Sequence, residues 1–559
     1  MRNTLSWLLS IILLGWAATG CASLPANTGR VASRAFDSPG TTSLGRLSEA
    51  RRAQARARSD SAFALVDGVD LAYSSRLALI ENAERSLDLQ YYAIHADATT
   101  ETLLQAIRDA ARRGVRVRVL LDDFNSVGED AQVLRLAFEP NVEMRLFNPL
   151  PGPRNNLIGH ILGSLDDMER VQKRMHNKLL IADTAWSITG GRNIGDEYFG
   201  VAGKQNFVDL DVLATGRIVR DMAASFDRFW NDDLAYPVQR LISKKELEKL
   251  RDLSGGTKAD PESSQAAAGA RSVAATPADT ARAKPTVLPT VTPEEAAAAR
   301  RPPVDLRTVP LVWAPSAFMG DRPGKIGPDE DEANAGETVI DGLLSIMQGA
   351  QHDVLMVSPY FVPGPRMMAV YEQLRRRGVR IRVLTNSLAS NDAVAAHAGY
   401  MRYRKALLDI GVELHEMRSD PSTAPELAGS SGHSGVSLGS AAGGSKALGK
   451  RRASLHTKAV VVDGRLTIVG SMNLDLRSQL QNSEEALVIR SAKLAAAATQ
   501  QVEQTFATGA YRVERDGGDL VWRAPPGASF QDSRTDPEAG ARRKLLVRLI
   551  APFAPDEML

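Results

Sequence analysis

Two segments of this chain repeat each other so closely that they fix its architecture before any single residue is considered. Residues 112–121 read RRGVRVRVLL and residues 376–385 read RRGVRIRVLT. Each follows a stretch with helical periodicity (102–112 and 367–377), so each predicts a helix, a glycine cap and an alternating strand. A further strand is predicted upstream of each, at 86–93 and 353–361, which makes strand-helix-strand units of a sheet with helices packed on it. The repeat continues downstream. HNKLLIAD at 176–183 returns 280 positions later as HTKAVVVD at 456–463, giving the frame H-x-K-x4-D twice. After six intervening residues each Asp is followed by Gly190-Gly191-Arg192-Asn193 or Gly470-Ser471-Met472-Asn473. The chain therefore reads as a tandem duplication of one α/β unit.

At 559 residues, with 43% apolar and 24% charged side chains, the chain can hold two or more domains with full cores. A formal net charge of +2 asks for no polyanionic partner, and nucleic acid is not expected as one. Cys21 is the sole cysteine, which excludes an intrachain disulfide. It follows Ala18-Thr19-Gly20, after an apolar run from about Leu5 that is too short to span a bilayer but long enough for a signal-peptide core. These small residues resemble a bacterial lipobox, although Ala18 stands where Leu is usual. The expectation is a lipoprotein signal at 1–21 with Cys21 lipidated, against the plainer reading of an ordinary buried cysteine. The anchored protein would face the periplasm, and the absence of Asp after Cys21 favours the outer membrane. Residues 22–60 read as a flexible tether. Residues 252–303, almost without large apolar side chains, read as a disordered linker, and 418–450 as a flexible insertion near the second frame.

In a strand, residues i and i+2 share a face, so His176 and Lys178 are expected to point one way, as are His456 and Lys458. Asp183-Thr184 and Asp463-Gly464 then read as hairpin turns, with returning strands before each Gly-x-x-Asn. An imidazole, an ammonium group and an amide brought together suit a phosphodiester. Lys and Asn donate to phosphate oxygens, one His can attack phosphorus, and a second His can protonate the leaving alkoxide. Each frame carries one histidine and the chemistry uses two, which accounts for the duplication.

The full pattern H-x-K-x4-D-x6-G-[GS]-x-N, present twice, resembles the duplicated motif of the phospholipase D superfamily over about residues 62–237 and 305–525. The stretches GRNIGDEYF (191–199), DLDV (209–212), SPYFVP (358–363), NSLASND (386–392) and AHAGY (396–400) resemble the cardiolipin synthase C type of bacterial enzyme. That resemblance implies an α/β fold of two similar α/β/α sandwich domains in tandem, 61–240 and 305–525, with the active site on their pseudo-twofold interface and a basic, apolar tail at 526–559. It implies a phosphatidyltransferase forming cardiolipin from phosphatidylglycerol and a second phospholipid, such as phosphatidylethanolamine, through a phosphohistidine intermediate. The implied catalytic residues are His176, Lys178 and Asp183 with His456, Lys458 and Asp463. His176 would be the nucleophile and His456 the acid/base, roles that could be exchanged. Asn193 and Asn473 would bind phosphate. Asp209 and Glu484 would orient the histidines, with Asp211 and Glu485 as near alternatives, and Asp183 and Asp463 would brace their hairpins. No metal and no cofactor are called for, since the lysines supply positive charge. The common bacterial cardiolipin synthases carry two N-terminal membrane helices that are not seen here, which leaves the physiological substrate open.

Other candidates have plainer readings beside the functional one. His95 and His397 could line the pocket or simply pack. Asp122-Asp123 reads as a turn or structural carboxylate before a metal pair. The arginines at 116–118 and 380–382 read as a solvated strand face, and RRKLLVRLI at 542–550 as either a surface-lying amphipathic helix or a docking helix. Competing with the transferase are a phospholipase D releasing phosphatidic acid, a nuclease, and a non-enzymatic scaffold. The last requires a degraded frame, and neither frame has lost a residue.

Overall fold

A computed structural model describes residues 24–152, 154–155, 160, 164, 167–201, 205–255, 301–326, 337–420 and 452–551. Each half is built on a nine-stranded sheet, and the six central strands have the same order in both. In the first half they run Val142–Phe147, Arg116–Asp122, Ser86–Tyr91, Leu179–Ala182, Trp186–Gly190, Asp211–Gly216. In the second they run Glu413–Met417, Arg380–Asn386, Asp353–Val357, Ala459–Val462, Leu466–Gly470, Glu485–Arg490. The first three strands of each set pair parallel and the rest antiparallel.

The repeated strand-helix-strand unit forms for local reasons. Helix Ala98–Arg112 is capped by Asp97, whose side chain accepts from Thr100 N–H, and it buries Leu103, Leu104, Ile107, Ala110 and Ala111 on one stripe. Gly114 and its counterpart Gly378 then turn the chain into the next strand at φ +94° and +82°, where a side chain is strained. The outer face of each sheet packs on helices, as with Leu87, Leu89 and Val119 in the first core and Val354, Met356 and Ile381 in the second. The inner faces meet in one shared core. Leu120, Leu179, Ile181 and Val212 of the first half pack there with Val357, Leu384, Ala459 and Leu487 of the second, joined by helix Ile218–Trp230.

Several expectations change. Arg118 lies on this inner face and is fully buried, bonded to both carboxylate oxygens of Asp88 at 2.6 and 2.9 Å, paired with Asp227 at 2.8 Å and set over Phe226 and Trp230. Arg382 is buried with Asp353 and Glu503. Arg118 and Arg382 are thus not on a solvated face, since paired carboxylates neutralise them where they are buried, whereas Arg380 is exposed as expected and pairs with Glu413, and Arg116 is partly exposed. Residues 22–60 are not a free tether where they are described. Helix Ser43–Gln54 buries Leu44 in the first core, and the Leu44 carbonyl accepts from Trp186 Nε1 at 3.0 Å. Ahead of that helix, the carbonyls of Val31, Ser33 and Arg34 accept from Arg145, Arg118 and Arg116. The boundary at 305 also shifts, because Val312–Trp313 adds to the first sheet and the second begins at Ser316–Gly320. Helix Ala541–Ile550 docks through Val547 against Leu388 and Ala398. Residues 1–21 with Cys21, most of 252–303 and most of 418–450 lie outside the described residues. Among those described, no helix is long and apolar enough to cross a membrane.

Candidate active site

Two short parallel strand pairs stitch the halves together beside the frames. Arg174–Met175 pairs with Asn482–Ser483, and Gln205–Val208 pairs with Arg452–Leu455. Each frame histidine follows one of these strands directly. His176 N–H donates to the Ser483 carbonyl at 2.9 Å, and His456 N–H to the Val208 carbonyl at 2.8 Å. His176 to Lys178 therefore occupy the junction between two strands rather than a strand interior, and His456 to Lys458 do the same. The sheet strands proper start at Leu179 and Ala459.

The frame aspartates sit at the far end of those strands. Asp183 accepts from Glu84, Arg85 and Ser86 N–H at 3.0, 2.7 and 2.9 Å. Asp463 accepts from Gln351, His352 and Asp353 N–H at 2.9, 2.8 and 3.0 Å. Both therefore cap the start of the neighbouring strand, and both have positive φ in their hairpin turns. Neither lies on the cavity that holds the histidines.

That cavity, of about 450 Å³, is lined by His176, His456, Asn193 and Asn473 from both frames. The carboxylates that meet the histidines cross the seam. His176 Nδ1 lies 3.0 Å from Glu484 Oε2, and His456 Nδ1 lies 2.6 Å from Asp209 Oδ2, so each half orients the imidazole of the other. A carboxylate on Nδ1 holds the hydrogen there and leaves Nε2 as the basic nitrogen. The lysines are buried, with Lys178 Nζ donating to the His176 carbonyl at 2.6 Å and Lys458 Nζ to that of His456. Asn193 Nδ2 donates to the Tyr198 hydroxyl at 2.8 Å, while Asn473 Oδ1 is buried without a partner among the described residues.

The near alternatives do other work. Asp211 lies between Arg76 at 2.9 Å and Arg192 at 3.2 Å. Glu485 accepts from Lys178 N–H and the Thr189 hydroxyl, both at 2.9 Å, which fixes the backbone of the first frame from the second half.

A family model described as "Cardiolipin synthase, PLD-like domain" matches residues 77–230 and 343–508. Over 491 residues the chain is 33% identical to cardiolipin synthase C of Escherichia coli (strain K12), covering 87% of this chain and 94% of that relative. The chain belongs to the cardiolipin synthase group of the phospholipase D superfamily. It is also 27% identical over 532 residues to an uncharacterized protein of Helicobacter pylori (strain ATCC 700392 / 26695), covering 94% of this chain and 95% of that one. Among solved structures, phosphatidylserine synthase of Haemophilus influenzae Rd KW20 aligns over 83% of this chain and 91% of its own, at TM-score 0.48 and 13% identity.

In this member of the phospholipase D superfamily, burial dominates the electrostatics of the site. It lowers His176 to about 4, with the two lysines adding to the effect and Glu484 opposing it. It lowers His456 well below the usual imidazole range, again helped by both lysines, and takes Lys178 down to about 7. Both imidazoles are neutral at pH 7.

The residues that sequence reasoning left without a role are largely aromatic and acidic. Tyr92 meets the His176 ring edge-on, and Tyr198 and Phe207 flank His456. Tyr360 donates to Asp392 at 2.6 Å, and both line the cavity with Asp475 and Arg477. Three of these, Tyr198, Tyr360 and Asp392, fall inside the quoted subgroup stretches, which was the available signal. His95 also lines the cavity, bonded to Asp130 at 2.9 Å, whereas His397 is buried away from it against Arg404. Asp122 and Asp123 are spent on Arg174, Arg154 and backbone N–H groups. Among the described residues no group of three or more His, Cys, Asp or Glu side chains is arranged to hold a metal ion.

Proposed function

We propose that this enzyme forms cardiolipin by transferring a phosphatidyl group from one phospholipid to phosphatidylglycerol, by way of a phosphohistidine. The observation that carries the reading is the pair of imidazoles on one cavity, each with a carboxylate on Nδ1 from the opposite half. His176 Nε2 attacks phosphorus, and the bond to the headgroup oxygen breaks as His456 supplies the proton that oxygen needs. The arriving phosphodiester brings the negative charge that offsets Lys178 and Lys458 and lets His456 hold that proton. In the second half-reaction His456 takes the proton back from the glycerol hydroxyl of phosphatidylglycerol, whose oxygen displaces His176. The lysines and Asn193 and Asn473 donate to the non-bridging oxygens throughout.

The identity to cardiolipin synthase C of Escherichia coli supports this choice of product. We infer further that Cys21 carries a lipid anchor that holds the enzyme on a membrane facing the periplasm; unchanged membrane fractionation of Cys21→Ser would contradict it. The test of the reaction is mass spectrometry of products after incubation with phosphatidylglycerol and phosphatidylethanolamine in detergent micelles. Wild type should yield cardiolipin, and His176→Ala or His456→Ala should lower the rate by about 10³-fold or more. Phosphatidic acid as the sole product, or cardiolipin surviving either substitution, would overturn the proposal.

A further inference from the structure

The helix Ala541–Ile550 has more apolar surface than its docking uses. Val547 faces inward, Ile550 is partly buried beside it, and Arg543 donates to the Asn391 carbonyl. On the other side Leu545, Leu546 and Leu549 are 60%, 47% and 60% exposed. They are three of the seven large apolar side chains exposed among the described residues, the others being Val31, Met168, Val201 and Leu480. Spaced i, i+1 and i+4, they form one outward stripe. Every charged residue of this helix is cationic, and Arg542 and Arg548, both exposed, stand in or beside the stripe. Lys544 adds a third cation nearby, held to the Thr535 hydroxyl at 3.0 Å.

The position matters as much as the composition. Asn391, which Arg543 holds, is followed by Asp392 on the cavity wall, so the helix sits at the rim of the site. We propose that this stripe docks on a phospholipid surface bearing anionic headgroups, with the leucines among the acyl chains and the cations at headgroup level. Docked this way, the rim of the cavity meets the plane from which a lipid must be drawn. The proposal rests on the lipid-transferring reading of the site and names the face that receives the lipid. Charge favours this occupant, since cations flanking an apolar stripe suit an anionic interface. A second copy would need roughly 800 Å² per partner, more than three leucines supply.

Leu546→Cys and, as a control, Arg376→Cys at the exposed end of helix Gly364–Arg376 would each be labelled with a fluorophore in the full chain carrying Cys21→Ser. Vesicles containing phosphatidylglycerol with brominated acyl chains should quench the label at 546 and leave that at 376 bright. In the same vesicles Leu545→Asp with Leu549→Asp should slow lipid turnover by about tenfold or more. Turnover of a short-chain phosphatidylglycerol below its micelle concentration should stay at the wild-type rate. Equal quenching at both positions, unchanged turnover on vesicles, or a dimer that the double substitution splits without altering vesicle binding would overturn the proposal. The quenching result holds whether or not either lipid is turned over, so it separates failure of docking from failure of the catalytic reading.

Discussion

After its hairpin glycine the first half has Gly191 and the second has Ser471, and the carboxylate that each half sends across the seam differs in step. A Cβ at Gly191 would stand 2.2 Å from a carboxylate oxygen of Asp209, so only glycine leaves that carboxylate room to reach His456. At 471 there is room for a side chain, and the Ser471 hydroxyl donates to Glu484 while Ser478 donates to its other oxygen at 2.8 Å. Glu484 is thereby bonded on three sides, and His176, Lys178 and Ser471 hold it below the usual carboxylate range despite its burial. Asp209 goes the other way; burial pushes it up, and Lys458 and Arg192 bring it only partly back. Glu484 thus meets His176 as a carboxylate held in its charged form by several donors, while Asp209 meets His456 from a site where burial outweighs the neighbouring cations. A duplicated frame can keep the same reacting groups and still differ in how firmly each is held.

The largest effect that would break this comparison is expected at Gly191. Gly191→Ser should abolish transfer and lower the thermal midpoint, because the new side chain overlaps Asp209. Ser471→Gly, which converts the second frame to the form of the first, should cost only about tenfold in rate, the loss of one hydrogen bond to a charged group. Equal losses from the two exchanges would show that the two carboxylates are held alike. Next come the carboxylates themselves. Glu484→Gln and Asp209→Asn should each slow transfer by about 10²-fold or more, with the folded state retained by circular dichroism.

The capping aspartates sharpen the same comparison through stability. Asp183 is fully buried and Asp463 only partly so, though each takes three backbone N–H groups. Asp183→Ala should cost about 3 kcal/mol in urea unfolding, and Asp463→Ala about half that. The last effect, confined to acid pH, separates the seam from the rest of the molecule. Burial holds both His176 and His397 at about 4, against 6.5 for an accessible imidazole. Between those values the unfolded chain binds protons that the folded chain refuses, so stability is full above pH 6.5 and falls as pH drops toward 4. Each histidine accounts for about 3 kcal/mol of that fall. His397→Gln should flatten the acid limb of unfolding and leave transfer unchanged at pH 7, since His397 lies off the cavity.

Much of this was legible in the sequence where one local rule decided the outcome. The hairpins at Asp183 and Asp463, the glycine caps at Gly114 and Gly378 and the duplicated strand-helix-strand units follow from turn chemistry and periodicity alone. Asp209 and Glu484 came as orienting carboxylates from the family resemblance, with Asp211 and Glu485 beside them, and the sequence did not show the crossing that brings each to the other half's histidine. That crossing depends on strand pairs of two and four residues, too short to have a periodicity of their own. Arg118 misled because an alternating charged strand looks solvated until Asp88 and Asp227 are known to meet it. The described part of residues 22–60 misled similarly, since its polar composition hides the Val31 and Ser33 carbonyls, which satisfy the buried Arg145 and Arg118 of the first half.

The crossing itself is best tested by recording the nitrogen resonances of ¹⁵N-labelled histidines in wild type and in Glu484→Gln. The expected result is a changed tautomer balance or pKa at His176, in the first frame, with the His456 signals left where they were. A change confined to His456, the histidine of Glu484's own half, would contradict the crossed arrangement on which the proposed mechanism stands.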